Sequence, residues 1–138
     1  MGSITTLQPQ VFRGCSSLTS VTLPATITEI RNHAFCDCTS LTTINIPSTC
    51  TSIYNNAFEA CSNLDVTLDL SNVTDVGAQA FKDCTKLKIS NLPKASSYPS
   101  QLFLAAKGLT NVVIPKEVVT IGSSCFNQCT NIQTVTFE

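Results

Sequence analysis

The chain has 138 residues, of which 43% are hydrophobic and only 12% charged, and its formal net charge is −1. That length ordinarily makes one domain, residues 1–138, with enough apolar material for a continuous core. The near-zero charge offers no basic field to a phosphate backbone, so no nucleic acid partner is expected, and no apolar run approaches the ~20 residues that cross a bilayer, so no membrane insertion is expected in this segment.

One phrase, Ala-Phe-x-x-Cys-x-x-Leu, organises the rest. Its phenylalanine falls at Phe12, Phe35, Phe58, Phe81, Phe103 and Phe126, in steps of 23, 23, 23, 22 and 23 residues. A fixed period in this range marks a solenoid, in which each repeat buries its apolar face on the next. Met1-Gly2-Ser3 reads as an added start with no secretory signal behind it, and the chain enters in mid-unit near Leu7.

The first unit runs Phe12, Cys15, Leu18, Val21, Leu23, Pro24 and Ile30; the second runs Phe35, Cys38, Leu41, Ile44, Ile46, Pro47 and Ile53. Val21-Thr22-Leu23 and Ile44-Asn45-Ile46 alternate apolar and polar residues, the pattern of a half-buried strand. The proline that follows cannot donate to a ladder and ends the pairing. Before each phrase, Thr28-Glu29-Ile30 and Thr51-Ser52-Ile53 suit a second short extended piece. The third unit places Leu64, Val66, Leu68 and Leu70 after Cys61, then Ser71-Asn72 where others have proline. Phe81 still returns on time, so a bulge should absorb one extra residue before the strand. In the fourth unit, Ile89, Ser90 and Leu92 leave two options: Ser90 points inward, or the register shifts. The fifth unit has Ala106 at the cysteine position and Cys125 at the alanine position. The sixth runs Phe126, Cys129, Ile132, Val135 and Phe137.

Phe, Cys and Leu spaced three apart suit one short helical turn, α or 3₁₀, with all three facing inward. The expected fold class is therefore α/β: about six 23-residue coils, each a short parallel β-strand plus a short helical (α/3-10) turn, with strands stacked about 4.8 Å apart.

Phrases such as Cys38-Thr39-Ser40-Leu41-Thr42-Thr43-Ile44-Asn45-Ile46-Pro47 and Ile121-Gly122-Ser123-Ser124-Cys125-Phe126 resemble the BspA-like (Treponema-type) leucine-rich repeats. The resemblance covers nearly the whole chain and implies a leucine-rich repeat solenoid. It also implies a cell-surface or extracellular location and, for some members, adhesion to host matrix proteins or to other cells. No enzyme activity and no cofactor are expected.

The eight cysteines invite a disulfide framework, but their phasing argues otherwise. Cys15, Cys38, Cys61, Cys84 and Cys129 share one inward repeat position, where a cysteine serves as a small buried hydrophobe. The ladder offers no unique pairing. His33-x-x-Cys36-x-Cys38 has metal-type residues, yet Cys38 is accounted for by the repeat and a structural zinc needs four converging ligands, so no metal site is assigned. One histidine without a specified nucleophile and carboxylate makes no triad, so no catalytic residue is assigned. Asn72-Val73-Thr74 is a glycosylation sequon, relevant only in a eukaryotic secretory pathway.

What remains for function is the outward face of the strands. Ser20, Thr22, Thr43, Asn45, Thr67, Asp69, Asn91, Asn111, Thr134 and Thr136 are its candidate binding residues. They fit a non-enzymatic module that presents a polar, Thr/Asn-rich β face to a protein or glycan ligand, with host extracellular matrix as the partner the resemblance implies. The competing account is a purely structural spacer within a larger surface protein, since threonine suits exposed strands without any ligand. An ice-binding Thr-x-Thr ladder fits only Thr134-Val135-Thr136, and Asp69 and Val113 interrupt it. The chain stops on Val135-Thr136-Phe137-Glu138, an uncapped strand edge. That predicts flanking sequence in the native protein, of which this would be a fragment, or end-to-end self-association through the C-terminal strand.

Overall fold

A computed structural model describes residues 2–138. Each coil contributes two strands. The odd set is β1 (Thr6–Leu7), β3 (Glu29–Ile30), β5 (Ser52–Ile53), β7 (Asp75–Val76), β9 (Ser97–Tyr98) and β11 (Thr120–Ile121). The even set is β2 (Ser20–Val21), β4 (Thr43–Ile44), β6 (Thr67–Asp69), β8 (Lys88–Asn91), β10 (Asn111–Ile114) and β12 (Thr134–Phe137). Odd strands come from the Thr-x-Ile segments and even strands from the alternating segments before the prolines. Every pairing is parallel and within a set: β1-β3-β5-β7 form one sheet, β9-β11 a second, and β2-β4, β6-β8 and β10-β12 three more.

The helical turn expected in each coil is not there; among the described residues the chain forms no helix. The fold is a β-solenoid, and the α/β expectation is wrong on this point. Backbone hydrogen bonding gives the reason. In the second coil the amides of Ala34, Cys36 and Cys38 close tight turns onto the carbonyls three residues back, each at 3.2 Å. The intervening amides of His33, Phe35 and Asp37 leave the coil and donate to Asn55, Ala57 and Glu59 of the next, at 3.0, 2.8 and 2.9 Å. A helix would keep all of these amides inside itself. Two residues per coil also adopt left-handed backbone, His33 (φ 57) and Asp37 (φ 60) here, then Asn56 and Ala60, Gln79 and Asp83, Gln101 and Ala105, Ser124 and Gln128. A left-handed residue every four positions breaks any right-handed helix. Spacing by three is common to a helix and to a train of such turns, so the sequence pattern could not separate them.

The inward half of the expectation holds. The phenylalanines stack, with ring centroids 5.5, 5.3, 5.4, 5.8 and 5.4 Å apart from Phe12 to Phe126. Phe35, Phe58, Phe81 and Phe103 are fully buried, each such side chain contributing on the order of 2–3 kcal/mol. All eight cysteines are free, and only Cys15 is exposed. The ladder thiols also have a polar role that phasing did not reveal. Cys38, Cys61, Cys84 and Cys129 each donate Sγ–H to the phenylalanine carbonyl one coil back, at 3.2, 3.1, 3.0 and 3.0 Å.

The fourth unit resolves its ambiguity by a register shift. Leu68 pairs with Ile89 and Asp69 with Asn91. Ser90 is the extra residue between them; it is exposed, and its hydroxyl donates to the Leu68 carbonyl at 3.3 Å. A larger discontinuity lies one coil on. No backbone hydrogen bond joins β7 to β9 or β8 to β10, although on the turn side Gln79, Phe81 and Asp83 still donate to Ser100, Leu102 and Leu104. On the odd face the cause is legible. Arg31, Tyr54, Gly77 and Gly122 each give an amide to the preceding odd strand, and Pro99, at the equivalent position, has none to give. The solenoid is thus seamed on both strand faces and held by its turns.

Candidate functional site

The even strands put all ten candidate residues on one exposed face. The face is not continuous. Ser20 lies beside Thr43, Asp69 beside Asn91, and Asn111 beside Thr134. Three polar patches result: Ser20, Thr22, Thr43 and Asn45 on β2-β4 and their flanks; Thr67, Asp69 and Asn91 on β6-β8; and Asn111, Thr134 and Thr136 on β10-β12. The structure does not bring the three together into one ladder, because neither β4 and β6 nor β8 and β10 pair.

The residues also differ in what they already do. Asn45 braces the first coil: its Oδ1 accepts from the Leu23 amide at 2.7 Å and its Nδ2 donates to the Leu23 carbonyl at 2.9 Å. Asp69 accepts the Ser71 amide at 3.0 Å. That bond holds its carboxyl below the usual range, helped by Asn91 and Lys94. It closes the turn where the third unit lacks proline. Thr134 donates to Asn111 Oδ1 at 2.8 Å. Ser20, Thr22, Thr43, Thr67 and Thr136 spend no side-chain hydrogen bond within the described residues. Their capacity is open to a partner.

Sequence reasoning missed Lys88. It lies outward at the start of β8, opposite Thr67, where it pairs with the exposed Asp65 and draws that carboxyl's pKa down. The two-residue spacing of Leu87 and Ile89 was the signal, since Leu18–Val21 and Leu41–Ile44 are three apart and the strand here starts one residue sooner. His33 is half-buried in a left-handed turn, and Cys36 points to Asp37 and Glu59 at 3.5 and 3.9 Å. Burial and those carboxylates push the Cys36 thiol up to about 12, so it is no nucleophile. Among the described residues no three His, Cys, Asp or Glu side chains converge as metal ligands, and no helix is long and apolar enough to cross a membrane.

Solved structures share this architecture. A leucine-rich repeat protein from Eubacterium ventriosum is 25% identical, with a TM-score of 0.77, over 96% of this chain and 36% of its own. The pneumococcal vaccine antigen PcpA is 24% identical, with a TM-score of 0.72, over 97% of this chain and 35% of its own. A leucine-rich cell surface protein from Faecalibacterium prausnitzii is 21% identical, with a TM-score of 0.60, over 98% of this chain and 52% of its own. The chain therefore spans between about a third and about a half of these proteins. No curated protein matches it. The model of the BspA type leucine-rich repeat region matches residues 2–103 and 65–138, in six copies. The chain belongs to the BspA-type leucine-rich repeat family.

Proposed function

We propose that this chain is a non-enzymatic recognition module of a surface protein, which holds a protein or glycan partner on the even-strand face. The observation that carries this reading is the set of exposed hydroxyls on Ser20, Thr22, Thr43, Thr67 and Thr136 with no internal partner. They stand on a rigid β framework, so little ordering entropy is lost when they bind. The description of one structural neighbour as a cell surface protein and another as a vaccine antigen supports the location. Asn45 and Asp69 drop from the contact set to a bracing role.

The test is a titration against immobilised matrix proteins and a glycan array, with the Thr43→Arg/Thr67→Arg double variant beside the parent. Saturable binding to at least one target should weaken by at least about tenfold in the variant, or ~1.4 kcal/mol, with the melting temperature unchanged. Binding that survives the double variant, or no binding to any target, favours the spacer account instead.

A further inference from the structure

The seam between the fourth and fifth coils opens a cleft of about 320 Å³ on the even side, lined by Ile89, Leu92 and Lys94 on one side and Asn111, Val113 and Glu138 on the other. Almost all Cα pairs between β8 and β10 lie beyond 8 Å. Ladder neighbours sit about 4.8 Å apart, and two ladder steps span ~9.6 Å. The gap is thus wider than one ladder step, and it closes at its Gly108 end, where that glycine packs against the Leu87 carbonyl. Both walls are strand edges: β8 is paired only on its β6 side and β10 only on its β12 side. The carbonyls of Thr110 and Ile114 point away from the cleft, accepting from Gln133 and Glu138. By strand alternation the amides and carbonyls of Asn111 and Val113 point into it, and they have no partner there. A backbone edge of this kind recruits another backbone.

We infer that the cleft between β8 and β10 is a docking slot for an extended peptide, which enters as the strand missing from the even face. The occupant carries short apolar side chains and one charge of each sign. Ile89 and Leu92 provide the apolar wall, while Lys94 and Glu138 line the cleft without an ion pair to each other or to any described residue. β8 and β10 each have 4 residues, about 13 Å of strand, which sets the length of peptide gripped. The slot rests on backbone edges, whereas the proposed face rests on outward hydroxyls, so either stands without the other.

The probe is a fluorescein-labelled hexapeptide, Lys-Val-Thr-Val-Glu-Val, blocked at both ends, with a counterpart N-methylated at alternate residues. Titrated with the full chain, the first should saturate, and the second should bind at least about tenfold more weakly (~1.4 kcal/mol). With the first bound, amide exchange at Asn111 and Val113 should slow by at least about tenfold. Thr43→Arg, on the open face, should leave the titration unchanged. Absence of saturation, equal binding of the N-methylated peptide, or sensitivity to Thr43→Arg overturns the slot. So does slowed exchange confined to Thr134–Phe137, which places the peptide on the other open edge.

Discussion

The repeated cysteine has two jobs, and only one was legible in the sequence. Its phase placed it inward, correctly, as a small hydrophobe. Phase could not show that its thiol reaches back 26 residues to a phenylalanine carbonyl, as in Cys61 to Phe35, because that contact crosses coils. Burial has a pH consequence. It pushes Cys38 and Cys50 up to about 11 and Cys125, like Cys36, to about 12, from an ordinary 9.0. Above about pH 9 the unfolded chain releases thiol protons that the folded chain retains, so rising pH favours unfolding. Stability from this source is complete below about pH 9 and falls from there to about pH 12. Melting temperatures recorded at about pH 6, 7.5 and 10.5 should be level over the first interval and drop over the second. A level profile throughout would show that these thiols do not govern alkaline stability.

Among the elements, the turn train is the part that sequence pattern misnamed. Residues three apart and facing one side fit a helical turn as well as consecutive tight turns; what separates the two is the sign of φ, which side-chain type reports only weakly. Asn56, Asp37 and Asp83 hinted at left-handed backbone, as these residue types tolerate it, but Ala60 (φ 60) and Ala105 (φ 58) gave no hint at all. Ala60 is also the more accessible of the two. Ala60→Gly should relieve its strained backbone and raise stability by about 0.5–1 kcal/mol, less than the full left-handed penalty because glycine loses more entropy on folding. Urea denaturation of the two proteins measures this, and a lower midpoint for the glycine variant would contradict it.

Across the whole molecule, six coils could be counted from the phenylalanines, and the single 22-residue step marked the fourth unit as irregular. What that step does was not legible. The seam depends on Pro99 coinciding with a donor position that is defined only once the coils are stacked. The candidate face fared similarly: all ten residues are exposed, but its division into three patches follows from which strands pair. In a solenoid, stability is a sum over coils and their interfaces, and here one interface is carried by turns alone. Unfolding in urea should therefore separate, with amides of β10 and β12 losing protection at a lower concentration than those of β3 and β5. Hydrogen exchange across a urea series measures this, and coincident midpoints would mean that the seam does not limit cooperativity.

The alternate-amide bonding of the turns also governs how such a chain can change length. An outgoing amide finds its carbonyl 22 residues on, as Phe35 finds Ala57 and Phe58 finds Ala80, or 21 across the one short step, as Phe81 finds Leu102. A gene that gains or loses one whole 23-residue unit hands every remaining amide an equivalent acceptor. Insertions of any other size within the turns shift the left-handed positions out of file, whereas the strand side absorbs a change of a single residue, as the 22-residue step from Phe81 to Phe103 does. Recombination between units is thereby tolerated, and small frame-preserving insertions within the turns are selected against.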